Sequence, residues 1–269
     1  MIVAKPQWRL LFERAQRQRW ANIICMKWGT RYSAEYVNRL YGMVVRNTTW
    51  KFRFVCFTDD SRGIRPEVEC RSLPEAPHAT VNGSYWPKLG MMRDDIGLEG
   101  MTLFLDLDLL VIDNIDAFFE IEGRFFMVRE WKDRELGYGN SSVVRFFGGL
   151  ENAVLDRFAA TSRAEIEAVY ANKEQNFLTR AVDEVLFWPD EWCPSFAHAC
   201  LPRNRLLRFF STPNKPRSGR IMVFYGSITP ASAQVGQHEP TKRVRQGFAF
   251  RPWRRRFGPA DWIAEYWRE

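Results

Sequence analysis

Residues 103–111 read LFLDLDLLV, two aspartates one residue apart inside an otherwise unbroken run of large apolar side chains. A carboxylate in apolar surroundings costs several kcal/mol unless a cation or hydrogen-bond donors meet it. Leu103 to Leu105 therefore read as strand interior, and Asp106 and Asp108 as the place where the strand emerges against a ligand. Central strands of an open parallel α/β sheet are covered on both faces and read as continuous apolar runs. Ligands sit beyond their carboxyl ends, where the strand order switches. In extended chain, residues i and i+2 project to one side, so this spacing predicts two carboxylates able to share one hard cation. Magnesium and manganese prefer one or two carboxylates plus phosphate oxygens over an all-protein cage.

The flanking sequence fits such a sheet. NIICM (22–26), FRFVCF (52–57) and VECRSL (68–73) have strand character, and SAEYVNRLYGMVVRN (33–47) places Tyr36, Val37, Leu40, Tyr41 and Val44 at helical spacing behind Ser33 as N-cap. YWPKLGMMRDDIG (85–97) predicts a short helix closed by Gly97. FFMVRE (125–130) and SVVRF (142–146) predict further strands, then LENAVLDRFAA and SRAEIEAVYANKEQNFLTRAV turn helical. EVLFW and RIMVFYG return to strand near 184 and 220. Alternating strands and helices argue for βαβ units and a parallel sheet. No internal repeat, P-loop or G-x-S-x-G elbow is present, and the GYG at 137–139 lacks the third glycine of a dinucleotide fingerprint.

At 269 residues and 46% hydrophobic, the chain is long and apolar enough for one large core. No apolar run approaches the ~20 residues of a membrane span, and residues 1–20 lack the signature of a secretory signal. That segment predicts a basic amphipathic surface helix, or one that touches a membrane. Five cysteines without a C-x-x-C pair read as reduced, mostly buried thiols of a cytosolic protein. Three scattered histidines give a histidine-based zinc site no raw material. The net charge of +7 is uneven: residues 201–269 hold 14 Lys/Arg against 4 Asp/Glu. FRPWRRRFGPADWIAEYWRE at the end suits an anionic lipid surface or nucleic-acid phosphate equally. Its alternative is to fold back on the domain through its aromatics.

At these residues the chain resembles a nucleotide-sugar glycosyltransferase of GT-A fold, and is similar to glycosyltransferase family 8 and its bacterial relatives. The resemblance runs from about 21 to about 230, on ICMKWGTRYSAEYVNRLY, FVCFTDD, YWPKLGMM, FLDLDLLVIDNID, GNSSVVRF and KEQNFL. It implies an α/β fold: a Rossmann-type, mostly parallel central sheet flanked by helices, as a single large domain. Segments would be a basic 1–20, the transferase domain 21–230, and a basic aromatic tail 231–269. It also implies Asp106 and Asp108 as ligands of Mn2+ or Mg2+, and Lys27, Trp28, Gly29 and Thr30 along the nucleotide. Lys88 would face the diphosphate or sugar, Asn140 and Ser141 the sugar hydroxyls, and Gln175 the anomeric centre. Asp106, Tyr225 and Gly226 complete the implied donor site. The partners implied are a UDP-sugar donor and a glycan or lipid-linked acceptor, with no nucleic acid. The setting is cytoplasmic or peripheral to the inner membrane face, and the outcome is retention; inversion would need a base among Glu130, Asp133 and Asp190.

The chain departs from that pattern in VFYGSITP, where Tyr225 stands for the family's His and Thr229 for its Lys. A phenol is a poor substitute for imidazole, and Arg217 or Arg220 would have to restore the charge. Bland readings stand beside the sharp ones: Lys88 as a solvated helix lysine, Trp28 as packing, GYGNSS as a turn, Cys193 and Cys200 as structural. Two other functions remain in view. One is a nucleotide- or glycan-binding member without turnover; the other is a haloacid-dehalogenase-like phosphatase, whose Asp-x-Asp normally ends the first strand.

Overall fold

The apolar runs form the strands of one seven-stranded sheet in a computed structural model that describes residues 5–77, 86–132, 134–171, 173–239 and 257–269. Its strands are β1 (Trp20–Lys27), β2 (Lys51–Thr58), β3 (Glu69–Arg71), β4 (Gly100–Leu105), β6 (Phe126–Arg129), β7 (Gly139–Gly148) and β8 (Leu186–Phe187), while β5 (Leu109–Val111) and β9 (Ile221–Val223) pair separately. The order is β3-β2-β1-β4-β7-β6-β8. Only β7 runs against its neighbours, so the sheet is mostly parallel, as the sequence predicts. The chain goes outward from β1 through β2 to β3 and then returns to place β4 on the other side of β1. The switch in strand order therefore falls between β1 and β4.

The chain divides into two compact units. The first contains residues up to Asn38, Thr49–Leu107 and Asp116–Trp188, and holds the whole sheet. One face is covered by a 3-10 helix, Trp86–Met92, with α4 (Asn152–Ala160) and α6 (Glu174–Ala181). There Trp86 stacks on Phe158 at 4.8 Å and meets Phe177 edge-on. On the other face α1 (Gln7–Gln18) lies along β1 and β4, with Trp8 against Phe147. The amphipathic N-terminal helix thus has the sheet as its partner.

That second face also buries a cation. Arg145, on β7, is fully buried and has no carboxylate partner among the described residues; it donates to the carbonyls of Phe118 (3.0 Å), Ile121 (2.5 Å) and Gly123 (2.5 Å). These carbonyls belong to the short helix α3 (Ala117–Glu120) and the turn after it, where chain ends leave acceptors unsatisfied. The Phe126 ring stands 4.5 Å from the guanidinium. Burial pushes the Arg145 pKa down to about 9, still charged at neutral pH.

The second unit comprises Arg39–Thr48, Asp108–Ile115 and Pro189–Glu269. In it β5 pairs antiparallel with β9, Leu109 opposite Val223, and Phe196 stacks on Phe224 at 4.9 Å. Phe257, Ala260, Ile263 and Trp267 of the C-terminal segment are buried. The Arg39 guanidinium lies 3.9 Å over the Trp267 ring, and the backbone of Glu269 approaches Gly42 at 2.5 Å from where a Cβ would stand. Residues 257–269 therefore fold back through their aromatics. Residues 240–256, with seven Lys/Arg, lie outside the described residues.

Several elements differ from expectation. YWPKLGMM forms a 3-10 helix, and Gly97 (φ 68°) sits in later bends rather than closing it; Pro87 and Gly90 are poor residues for a longer α-helix. SRAEIEAVYANKEQNFLTRAV is two helices, α5 (Arg163–Ala168) and α6, separated where Ala171 adopts a φ of 49°. β4 ends at Leu105, and Leu107–Asp108 form a turn, so strand alternation does not set the directions of Asp106 and Asp108. The thiols Cys25, Cys56 and Cys70 stand in one register across β1, β2 and β3; the first two are buried and the third exposed. Replacing Arg145 by Met should leave three carbonyls without their donor, two of them fully buried, and cost about 2–3 kcal/mol at ~1 kcal/mol each. The check is the urea midpoint, and an unchanged midpoint would show that those carbonyls need no cation.

Candidate active site

At the carboxyl end of β4 the first unit places a buried ion pair. Lys88 comes from the 3-10 helix, which turns it inward, and is only 4% exposed. Its Nζ lies 2.8 Å from Asp106 Oδ1 and donates to Ser141 Oγ at 3.1 Å and the Ser141 carbonyl at 3.4 Å. Glu174, the first residue of α6 and 5% exposed, accepts from Ser141 Oγ at 2.7 Å and stands 3.8 Å from the same ammonium. A helix N-terminus favours a carboxylate. Asp106 is itself fixed by its backbone N–H, which donates to the Ser142 carbonyl at 2.9 Å. The reading of Lys88 as a solvated helix lysine is thereby corrected: an ammonium in this setting needs carboxylates, and two are supplied.

The register of β7 against β6 slips between Phe126 and Val128, within the stretch that carries Asn140 and Ser141; such irregularities re-aim side chains near sites. Asn140 is buried, its Oδ1 accepting from Ser142 N at 3.0 Å. Ser141 presents its hydroxyl to Lys88 and Glu174. Gln175 donates from Nε2 to Glu130 Oε2 at 3.0 Å, and Glu130 Oε1 accepts from Trp131 N at 3.0 Å. Thr179 links α6 to β7 by accepting from Gly139 N at 2.9 Å.

Across the switch point lies the end of β1. Lys27 is buried, and its one hydrogen bond among the described residues is to the Asp60 carbonyl, 2.9 Å away. It makes no ion pair there, so the ammonium keeps donors in reserve. Gly29 (φ 62°) donates its N–H to Asp59 Oδ2 at 2.8 Å, pinning the loop after β1 to the loop after β2. The Arg62 guanidinium beside Asp60 holds that carboxyl well below the usual range. Trp28 packs half-buried against the core, while Thr30 is exposed. The sequence-derived residues of the first unit thus form two groups, Lys27–Thr30 at β1 and Lys88, Asp106, Asn140, Ser141 and Gln175 around β4 and β7.

The remaining candidates belong to the second unit. Tyr225 shares a hydrogen bond with His198 Nδ1 at 3.0 Å, the two rings stacked at 5.8 Å, and Ser195 Oγ lies 3.3 Å from the same nitrogen. Thr229 is a buried helix cap for α9 (Pro230–Gln234), with Oγ1 donating to Glu239, so it carries no charge where a lysine is expected. Arg220 is committed to the Asn114 carbonyl and the Trp192 ring. Gly226 is exposed with φ 77°. Glu174 and His198 went unrecognised in the sequence. KEQNFL offered a signal for the first, through an acid at a helix start; nothing marked the second, 27 residues from its tyrosine.

Among the described residues no three His, Cys, Asp or Glu side chains gather to hold a metal ion. Of the two aspartates the sequence offers as metal ligands, Asp106 belongs to the first unit and Asp108 to the second. That sparse donor set fits magnesium or manganese, which complete their shells with phosphate oxygens and water, and not zinc. No described helix is long and apolar enough to cross a membrane.

No protein-family model and no curated protein sequence matches the chain. In three dimensions it is similar to the glycosyltransferase GlyE of Streptococcus pneumoniae TIGR4, at 14% identity and a TM-score of 0.54 over 87% of this chain and 62% of GlyE. The apo form of GlyE aligns at 13% and 0.52, over 87% and 61%. The galactosyltransferase LgtC, in complex with donor and acceptor sugar analogs, aligns at 12% and 0.48 over 78% of this chain and 88% of LgtC, and adds nothing to the assignment. The likeness to GlyE shows the fold, which is the GT-A fold of glycosyltransferases; this chain spans less than two thirds of GlyE's length.

Lys88→Met should leave Glu174 and Asp106 without their cation and lower stability by about 3–5 kcal/mol. Glu174→Gln, which can still accept from Ser141, should cost about 1 kcal/mol. Denaturant unfolding of both variants is the check; equal midpoints for wild type and Lys88→Met would remove the buried pair.

Proposed function

We propose that the chain is a glycosyltransferase that moves a sugar from a nucleoside-diphosphate sugar, a UDP-sugar, to a glycan or lipid-linked acceptor. The observation that carries this reading is the pair of groups facing the β1/β4 switch point of a GT-A sheet: a buried lysine with donors in reserve on one side, a fixed carboxylate on the other. Open α/β sheets bind nucleotides at that point.

Lys27 and the loop Trp28–Thr30 would receive the nucleotide, the ammonium meeting its anionic part. Lys88 acts one step back: its donors are taken by Asp106 and Ser141, so it orients Asp106 rather than meeting phosphate directly. Asp106 and Asp108 would hold Mn2+ or Mg2+, which when bound supplies positive charge against the departing diphosphate. The chain itself keeps the two Cα atoms within about 7 Å. Asn140 would contact sugar hydroxyls. Gln175 is turned by Glu130 so that its amide nitrogen is occupied and its carbonyl oxygen is left for the sugar. Glu130 has its oxygens engaged by Gln175 and by backbone N–H groups, which disfavours it as the base of an inverting reaction; Asp133, another candidate for that base, lies outside the described residues.

Tyr225 and its engagement with His198 favour a second reading, a nucleotide binder without turnover. The phosphatase reading loses support because the Asp-x-Asp follows the fourth strand of the chain, not the first.

Asp108→Asn removes a charge at nearly constant volume and should lower UDP release from a UDP-sugar panel by about a hundredfold or more, with unchanged circular dichroism. Full activity in this variant would remove the carboxylate from the reaction. Lys27→Met should weaken UDP binding by about tenfold or more in calorimetry. UDP binding without sugar release from any donor would favour the binder.

A further inference from the structure

Between Trp192 and His238 the chain carries six Lys or Arg and no Asp or Glu. In the middle of that stretch lies a one-turn helix, α8 (Arg205–Arg208), started by Asn204, whose Oδ1 accepts from Leu206 N at 2.9 Å. Its tip is apolar and faces water. Leu206 is 77% exposed and Phe210 84%; Leu207 and Phe209 are exposed as well, and the two Phe rings meet edge-on at 5.1 Å. Singly exposed apolar residues need no explanation, whereas four in five consecutive positions mark an interaction surface.

The tip stands on a braced base within the second unit. Arg208 Nε donates to the Pro202 carbonyl at 2.7 Å, Gly258 N to the Ser211 carbonyl at 2.7 Å, and Trp262 Nε1 to the Pro213 carbonyl at 3.0 Å. Lys215 Nζ donates to Tyr266 OH at 2.5 Å. Arg203, Lys215 and Arg217, close to the tip in sequence, are exposed. The apolar tip thus belongs to a stretch whose charged residues are all cations.

We propose that residues 206–210 dock this protein on an anionic phospholipid surface. Leu206, Leu207, Phe209 and Phe210 enter the boundary between headgroups and acyl chains, and Arg203, Lys215 and Arg217 meet the lipid phosphates. Interfacial elements combine those two features: apolar area for insertion, cations for the headgroups. Nucleic-acid phosphate would match the cations but leave two leucines unpartnered. A second copy of this chain, in a two-fold contact, would set an acid-free basic stretch against itself. The proposal is independent of the sugar-transfer reading, and it assigns the surface contact to a different segment from the basic tail.

The test is flotation of the full-length protein with phosphatidylglycerol–phosphatidylcholine vesicles and with phosphatidylcholine alone. The wild type should float with the anionic vesicles only, and Leu206→Ser combined with Phe210→Ser should lower the partition coefficient by about tenfold or more. Its melting temperature should be unchanged, since both side chains already face water. Three outcomes would overturn the proposal. The first is no flotation of the wild type. The second is equal flotation of wild type and double variant, including the case where only Arg254→Gln with Arg255→Gln and Arg256→Gln loses it. The third is a concentration-dependent dimer in sedimentation that the double variant abolishes while flotation persists.

Discussion

A lysine ammonium with almost no access to water has to be met by anions, or the site around it deprotonates or opens. Lys88 is in that position, and four elements converge to meet it: the 3-10 helix that carries it, the end of β4 with Asp106, β7 with Ser141, and the first turn of α6 with Glu174. The geometry at the carboxyl end of β4 is thus a by-product of desolvation. Asp106 points where it does because Lys88 demands it, before any ligand arrives. Such preorganisation is what makes an electrostatic site effective, since little has to move when charge develops.

The rest of the sheet supports that point from both sides. On the face bearing the 3-10 helix, Trp86, Phe158 and Phe177 hold the helix rigidly enough to aim a buried lysine. On the opposite face Arg145 gathers the carbonyls of α3 and the following turn. One strand, β7, contributes to both, with Ser141 near one end and Arg145 further along. The slipped register of β7 against β6 falls between these two residues and breaks the alternation that would otherwise put them on one face.

Much of this was legible in the sequence, for reasons that can be named. LFLDLDLLV marks the central strand because continuous apolar runs arise where a strand is covered twice, and its first aspartate lies where the run stops. The helix of residues 34–47 was readable from apolar spacing, with Val37, Leu40 and Val44 all buried. What local pattern cannot carry is the partner of a side chain far away in the chain. Glu174 lies 86 positions from Lys88, and His198 meets Tyr225 only because unrelated segments are folded together. The turn at Leu107–Asp108 was also hidden, since apolar residues on both sides of the aspartates make two short strands look like one. Tertiary packing, not propensity, decided that Lys88 is interior.

The three thiols aligned across β1, β2 and β3 give the sheet a built-in ruler. Cys70 sits at the exposed rim, Cys56 one strand further in, and Cys25 two strands in, where burial raises its pKa well above the usual thiol range. An alkylating reagent would therefore mark the strands in order of their detachment, reaching the inner sulfurs only as the outer strands peel away. The order in which these cysteines become reactive would time the fraying of the sheet from its margin inward, with no engineered cysteine.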